Sequence, residues 1–154
     1  MKLFVMRHGQ AEARAASDAE RALTARGRRD VKKIADGSAS ELLELEQIWV
    51  SPLRRAQETA AVAMEALDWG SEPITTALLE PGSDVEALRE QLRESDYECL
   101  LLIGHQPLVG ALIEHLSGAE PGRYAMGTAS LACLDVEWAA SGLAEVQWLR
   151  HSDG

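Results

Sequence analysis

Two short apolar runs, each ending at a histidine, constrain the fold of this chain more than any other feature. The first run, 3–6, leads into Arg7-His8-Gly9, and the second, 99–103, leads into Gly104-His105. Uninterrupted apolar runs of this length are typical of strands that are buried on both faces of a sheet. Open α/β sheets bind ligands at the carboxyl ends of their strands. The two histidines are therefore predicted to lie at the ligand-binding edge of one sheet.

The segments around these runs predict a regular alternation of strands and helices. We expect strands at about 2–6, 47–50, 74–76, 99–103, 130–137 and 143–149. We expect helices at about 25–44, 53–68, 83–95 and 107–117. Strands separated by helices predict an α/β fold, namely a three-layer α/β/α sandwich with a mainly parallel sheet. The last two strands follow each other without a helix, which predicts an antiparallel addition at one edge.

Short local signals predict where these elements begin and end. Thr24 is the expected N-cap of the first helix, which Gly37-Ser38 could interrupt. Gly70 is expected to stop the second helix, and Ser83 is expected to cap the third. A turn at Ser141-Gly142 is expected to join the last two strands.

Composition narrows the class of protein. The 154 residues are 46% apolar and contain no internal repeat or linker, as expected of a single domain that covers 1–154. No apolar segment reaches the ~18 residues of a membrane-spanning helix, and no signal peptide is recognisable. Cys99 and Cys133 both lie in strand-like apolar runs, where buried, reduced cysteines are expected. We therefore expect a cytoplasmic monomer.

The charge of the chain is unevenly distributed. The formal net charge is -10, with 11 of the 15 basic residues in the first 60 positions. Residues 1–60 carry a net charge of about +2, and residues 61–154 carry about -12. This overall acidity argues against nucleic acid or an anionic membrane as a partner. An anionic ligand would bind in the arginine-rich first part.

Two adjacent arginines, Arg54 and Arg55, follow the second strand and open a helix. Helical spacing puts Arg54 on one face with Glu58, with which it can form an ion pair. The same spacing puts Arg55 on another face with Thr59, beside the apolar stripe of the helix. A buried guanidinium needs an anionic partner, because burial without one is costly. That partner could be a protein carboxylate or a phosphate.

The ends of three strands therefore offer Arg7-His8, Arg55 and His105. Neighbouring strands lie ~4.8 Å apart, so that these side chains can converge on one small anion. Two guanidiniums and two imidazoles suit a phosphoryl group, because arginine forms paired hydrogen bonds with its oxygens. A histidine nitrogen is also a competent nucleophile. No metal-ligand spacing is present in the sequence, so we expect no metal and no cofactor.

Four motifs follow one another along the chain. They are Met6-Arg7-His8-Gly9, Arg21-x-Leu23-Thr24-x-x-Gly27, Ser51-Pro52-x-x-Arg55-Ala56-x-x-Thr59 and Gly104-His105-x-Pro107-Leu108-Val109. Their joint order and spacing resemble those of the motifs in the histidine phosphatase superfamily, the phosphoglycerate-mutase-like enzymes. Within that superfamily, the chain is most similar to the short bacterial protein-phosphohistidine phosphatases of two-component signalling.

This resemblance implies a function and a set of site residues. His8 would be the phosphorylated nucleophile, and Arg7, Arg55 and His105 would form the phosphate pocket. Arg21 matches an additional phosphate-binding arginine of the short subgroup. The implied reaction is hydrolysis of phosphohistidine on a protein, such as a histidine phosphotransfer domain, through a covalent phosphohistidine intermediate.

Two further residues bear on the substrate. Gln10 follows the catalytic turn and could touch the substrate. Many phosphomonoesterases of this superfamily use an acidic residue to protonate the leaving oxygen, and the best candidate here, Glu80, is interpreted as a solvated loop carboxylate. A phosphohistidine needs less acid catalysis, because protonated imidazole leaves readily. The alternatives are a small-molecule phosphomonoesterase of the same superfamily and a weakly catalytic phosphohistidine-binding module.

Overall fold

A mixed six-stranded sheet forms the centre of the molecule. The structure is a computed structural model that describes residues 1–138 and 144–152. Its strands are β1 (Lys2–Arg7), β2 (Gln47–Val50), β3 (Ile74–Thr75), β4 (Cys99–Gly104), β5 (Leu131–Asp135) and β6 (Glu145–Arg150). Its longer helices are α1 (Ala25–Gly37), α2 (Arg54–Leu67), α3 (Val85–Glu94) and α4 (Leu108–Ser117). No helix within these residues is both long and apolar enough to cross a membrane.

The order and direction of the strands confirm the predicted architecture. The strands β3, β2, β4 and β1 are parallel neighbours in that order. Beyond β1, the strands β5 and β6 complete the sheet as an antiparallel addition. The turn predicted at Ser141-Gly142 lies outside the described residues.

The central strands separate two apolar cores. In β1, Leu3 and Val5 join a core formed with α3 and α4, whereas Phe4 and Met6 join a core formed with α1 and α2. Successive side chains of a strand point to opposite faces, so an uninterrupted apolar run supplies both cores at once. All four of these side chains are at most 2% exposed. The strand β4 is also buried along its whole length and pairs in parallel with β1, so that the carboxyl ends of both strands lie at the same edge of the sheet.

The predicted helix boundaries need small corrections. The interruption expected at Gly37-Ser38 is confirmed: α1 ends at Gly37, and a separate 3-10 turn, Ala39–Leu42, follows in place of a helix up to about 44. The second ends before Gly70, because Asp68 adopts a left-handed conformation with φ of 51°. The third is capped by Asp84, whose carboxylate accepts from the backbone N–H of Glu86. Ser83 does not cap it, because its hydroxyl donates instead to the carbonyl of Ala77 at 2.8 Å.

Candidate active site

The adjacent strands β1 and β4 bring the two predicted histidines together. Arg7 is in register with Gly104, so His8 and His105 follow side by side at the same edge of the sheet. Their ring centroids are 5.0 Å apart. Both side chains are buried, with exposures of 7% for His8 and 2% for His105. The convergence predicted from the strand ends is therefore observed for the two imidazoles.

The hydrogen bond of His8 determines which ring nitrogen is free. Its Nδ1 lies 2.7 Å from the carbonyl oxygen of Gly9. Because a carbonyl only accepts, Nδ1 carries the proton and Nε2 keeps its lone pair. The pKa of His8 is lowered to about 4, chiefly by burial and also by the positive charges of Arg55, Arg7 and Arg21, against the opposing effect of the Gly9 hydrogen bond. His8 is therefore neutral at pH 7, with a nucleophilic nitrogen.

His105 is held by Ser51, the residue that follows β2. Its Nε2 lies 2.7 Å from the hydroxyl oxygen of Ser51, which also accepts from the backbone N–H of Leu53 at 3.2 Å. The Nδ1 of His105 is buried and has no hydrogen-bond partner in the described part of the chain. The pKa of His105 is lowered to about 3, chiefly by burial and also by the neighbouring His8 and Arg55.

The structure confirms the predicted orientation of the two adjacent arginines. The side chain of Arg55 is 5% exposed, whereas that of Arg54 is 57% exposed and pairs with Glu58 at 3.1 Å. Arg7 also lies at this edge, where its Nη1 donates to the carbonyl of Met126 at 3.0 Å. Burial lowers the pKa of Arg7, and the charge of Arg55 contributes, as expected of two cations near each other.

A carboxylate that the sequence analysis did not single out, Asp18, bridges two of the predicted arginines. Its Oδ2 accepts from Nη2 of Arg55 at 3.2 Å, and its Oδ1 accepts from Nε of Arg21 at 3.0 Å. The backbone carbonyl of Asp18 accepts from Nη1 of Arg55 at 2.8 Å. The hydrogen bond from Arg21 is the largest cause that lowers the pKa of Asp18. Of the two partners considered for Arg55, the structure shows the carboxylate.

Residues of the second and third motifs hold the turn around His8 in place. The hydroxyl of Thr59 accepts from the N–H of Gly9 at 3.1 Å and donates to the carbonyl of Arg55 at 2.7 Å. Thr24 caps α1 as predicted, with its hydroxyl oxygen 2.9 Å from the N–H of Gly27. The motif spacing therefore reflects contacts that join α1 and α2 to the turn after β1.

Of the two residues proposed to bear on the substrate, Gln10 adjoins the turn that carries His8, and Glu80 lies in the loop after Leu79. The side-chain oxygen of Gln10 accepts from the hydroxyl of Thr24 at 2.9 Å, and Gln10 lines a cavity of about 160 Å³ with His151. Glu80 follows Leu79, whose side chain packs against Gly104 directly before His105. Neither a hydrogen bond nor an ion pair of the Glu80 side chain occurs within the described ranges.

Sequence reasoning missed the parts of the site that depend on distant contacts. Ser51 and Thr59 were marked by a motif, but their partners His105 and Gly9 lie about 50 residues away. Asp18 carries no local signal, because its role arises only where its turn meets α2. No group of three or more side chains placed to hold a metal ion occurs among the described residues.

Comparison with known proteins agrees with this geometry. Residues 3–80 match the histidine phosphatase superfamily (branch 1). The phosphohistidine phosphatase SixA of Escherichia coli (strain K12) is 34% identical over 123 residues, which cover 78% of this chain and 76% of that protein. The solved structure of the protein histidine phosphatase SixA complexed with tungstate superposes with a TM-score of 0.90 at 29% identity, covering 99% of this chain and 98% of the other.

A more distant structure shares the fold alone. The alpha-ribazole-5'-P phosphatase of Escherichia coli superposes with a TM-score of 0.78 at 18% identity, covering 99% of this chain and 98% of its own. The matched residues 3–80 contain His8, Arg21 and Arg55, and the SixA resemblance extends over nearly the whole chain. The chain therefore belongs to the histidine phosphatase superfamily, in its SixA-like subgroup, and is a phosphatase.

Proposed function

We propose that this protein hydrolyses phosphohistidine on a partner protein, such as a histidine phosphotransfer domain, through a phosphohistidine intermediate on His8. The observation that carries the proposal is the neutral His8, whose Nδ1 is tied to Gly9 and whose Nε2 is free. A site that only binds phosphohistidine does not need such a nucleophile. The similarity to the SixA phosphatases supports the substrate class.

In the first step, Nε2 of His8 attacks phosphorus in line with the P–N bond of the substrate. The P–N electron pair goes to the substrate imidazole, which leaves as a neutral ring when its other nitrogen carries a proton. Arg7, Arg21 and Arg55 bind the non-bridging oxygens and stabilise the charge that spreads over them in the transition state. The phosphoryl group is then bonded to Nε2 of His8.

His105 contributes a further hydrogen bond to the phosphoryl group. If Ser51 donates its single hydroxyl proton to Nε2 of His105, the proton of that neutral imidazole lies on Nδ1. The buried Nδ1–H then donates to a phosphoryl oxygen, which gives it the partner it lacks among the described residues. Ser51 thus sets the tautomer in which His105 attracts the phosphoryl group.

In the second step, water attacks phosphorus and breaks the bond to Nε2 of His8. Both protons of the water stay on the released phosphate, and the electron pair of the broken bond returns to Nε2. The cycle regenerates neutral His8 and needs no redox partner. Charge stabilisation comes from the three arginines, so we propose that activity survives dialysis against a chelator.

One observation favours a second candidate function, hydrolysis of a small phosphate ester. The contact of Leu79 with Gly104 puts Glu80 next to the turn that carries His105, where a loop carboxylate could protonate an alkoxide. The preferred substrate needs no such acid, because imidazole leaves readily, and the described part of the chain contains no large cap over the site.

The two candidates differ in their dependence on Glu80. The test is to measure kcat/KM for a phosphorylated phosphotransfer domain and for a sugar phosphate, with wild type and Glu80→Gln. We expect a large preference for the phosphoprotein and little effect of Glu80→Gln on it. Comparable turnover of the sugar phosphate, selectively abolished by Glu80→Gln, would establish the small-molecule function instead.

A further inference from the structure

The carboxylate of Asp18 accepts hydrogen bonds from Arg21 and Arg55, the residues that bind the phosphoryl oxygens in the proposed mechanism. Two of its contacts are to Arg55, through Oδ2 and the backbone carbonyl, and one is to Arg21, through Oδ1. A carboxylate and a phosphoryl group present pairs of oxygens to a guanidinium in the same way. Both cannot take the same N–H donors at once. A phosphoryl group that uses these donors must therefore displace Asp18.

The segment that carries Asp18 is suited to being displaced. Asp18 begins a 3-10 turn, Asp18–Glu20, that buries no residue of its own. The side chain of Asp18 is 66% exposed, whereas the Arg55 side chain that it contacts is 5% exposed. Its position therefore depends mainly on hydrogen bonds to the arginines. Withdrawal of the carboxylate exposes no apolar core and leaves the Arg55 guanidinium available at the site.

The charges around Asp18 hold its carboxylate at this position. Its pKa is lowered, chiefly by the hydrogen bond from Arg21, so Asp18 is ionised at neutral pH. The same charge opposes the lowering of the pKa of His105. Asp18 thus neutralises part of the positive charge that would otherwise attract any phosphate.

We propose that Asp18 competes internally with the phosphoryl group for the N–H donors of Arg21 and Arg55. This inference rests on the proposed function, because it assumes that Arg21 and Arg55 bind phosphoryl oxygens. Every ligand must overcome the same competition, whatever group bears the phosphate. A phosphoprotein makes further contacts outside the pocket and can offset that cost with them, whereas inorganic phosphate and small esters have fewer such contacts. Asp18 thereby weakens the binding of inorganic phosphate and promotes release of the phosphate product.

The test is calorimetric binding of inorganic phosphate to the intact protein and three variants. Asp18→Asn removes the charge but keeps the size of the side chain. Glu20→Gln makes the same charge change in the same turn and is the matched control, because Glu20 is exposed and makes no side-chain contact with the arginines within the described residues. Arg55→Ala tests the pocket itself. Thermal unfolding of each variant verifies that it is folded.

We expect Asp18→Asn to bind inorganic phosphate about threefold to tenfold more tightly than wild type, which is the range expected for one competing charged hydrogen bond. Glu20→Gln should bind like wild type, and Arg55→Ala should lose binding. Equal or weaker binding by Asp18→Asn, with binding still lost in Arg55→Ala, would overturn the competitor role and leave the pocket intact. Unchanged binding by Arg55→Ala would contradict the pocket, and with it the proposed function.

Discussion

Single residues in this site differ in role according to what they contact, even when they are identical and adjacent. Arg55 is buried and contacts Asp18, whereas Arg54 is exposed and pairs with Glu58. Arg55→Ala should lower kcat/KM by about a hundredfold or more, as expected when a donor to the transition state is removed. Arg54→Ala should have a mild effect, because it removes only an exposed ion pair, which contributes about 0.3–0.5 kcal/mol to the free energy of unfolding. Steady-state kinetics of both variants checks this, and equal losses would refute the orientation argument.

The residue-scale role of Ser51 can be measured directly on its partner. If Ser51 donates to Nε2 of His105, the ¹⁵N NMR signals of the wild-type protein should show the proton on Nδ1. Ser51→Ala should abolish this preference and lower kcat by about tenfold to a hundredfold, the range typical of a residue that orients a ligand-binding histidine. A wild-type His105 protonated on Nε2 would be incompatible with the proposed hydrogen bond to the phosphoryl group.

At the scale of elements, the first turn of α1 is fitted against the turn that carries His8. A Cβ on Gly9 would lie 2.8 Å from the carbonyl oxygen of Gly27, and a Cβ on Gly27 would collide with the carbonyl oxygen of Gln10. Both obstacles are backbone atoms, which cannot move without moving the element. The absence of side chains at these two glycines therefore lets α1 approach the turn.

This fit predicts different effects of the same substitution at the two ends of α1. Gly27→Ala should lower the free energy of unfolding by about 1–3 kcal/mol and reduce activity, because the helix must shift away from the turn. Gly37→Ala is the control, since a Cβ there meets nothing within 4 Å. It should be neutral or raise the free energy of unfolding by about 0.5–1 kcal/mol. Urea unfolding of both variants measures the difference; a harmless Gly27→Ala would disprove the close fit.

Elements were predictable from the sequence where their causes are local. The apolar runs 3–6 and 99–103 predicted the central strands, and the position of Thr24 predicted the N-cap of α1. Strand burial and helix capping both leave a pattern in neighbouring residues. The predicted helix bounds were less accurate where a tertiary contact decided which of two residues caps the helix. The hydroxyl of Ser83 donates to the carbonyl of Ala77, so that Asp84 caps α3 instead. The contact of Asp18 with Arg55 spans 37 positions and has no local pattern at all.

At the scale of the whole molecule, two buried neutral histidines make stability depend on pH. The folded-state pKa values of His8 and His105, about 4 and about 3, lie below the ordinary value of 6.5. Between these values the unfolded chain binds more protons than the folded chain, so acidification favours unfolding. Each histidine should reduce the free energy of unfolding by about 2 kcal/mol between pH 7 and pH 5.

Replacing one histidine isolates this contribution. The difference in unfolding free energy between pH 7 and pH 5 should be smaller in His8→Ala than in wild type by about 2 kcal/mol. The pKa of Glu41 lies below this window, because its hydrogen bond with Arg150 lowers it to about 2. An identical pH dependence in the variant would show that His8 is not held neutral by the fold.

The most direct test of the covalent mechanism is to find which residue carries the phosphoryl group during turnover. The protein is mixed with a phosphotransfer domain that carries labelled phosphohistidine, quenched within milliseconds, digested under alkaline conditions and mapped. The covalent mechanism predicts an acid-labile label on His8, no label and no turnover in His8→Ala, and normal labelling in His151→Ala. Label on another residue, or normal turnover in a folded His8→Ala, would contradict the covalent mechanism.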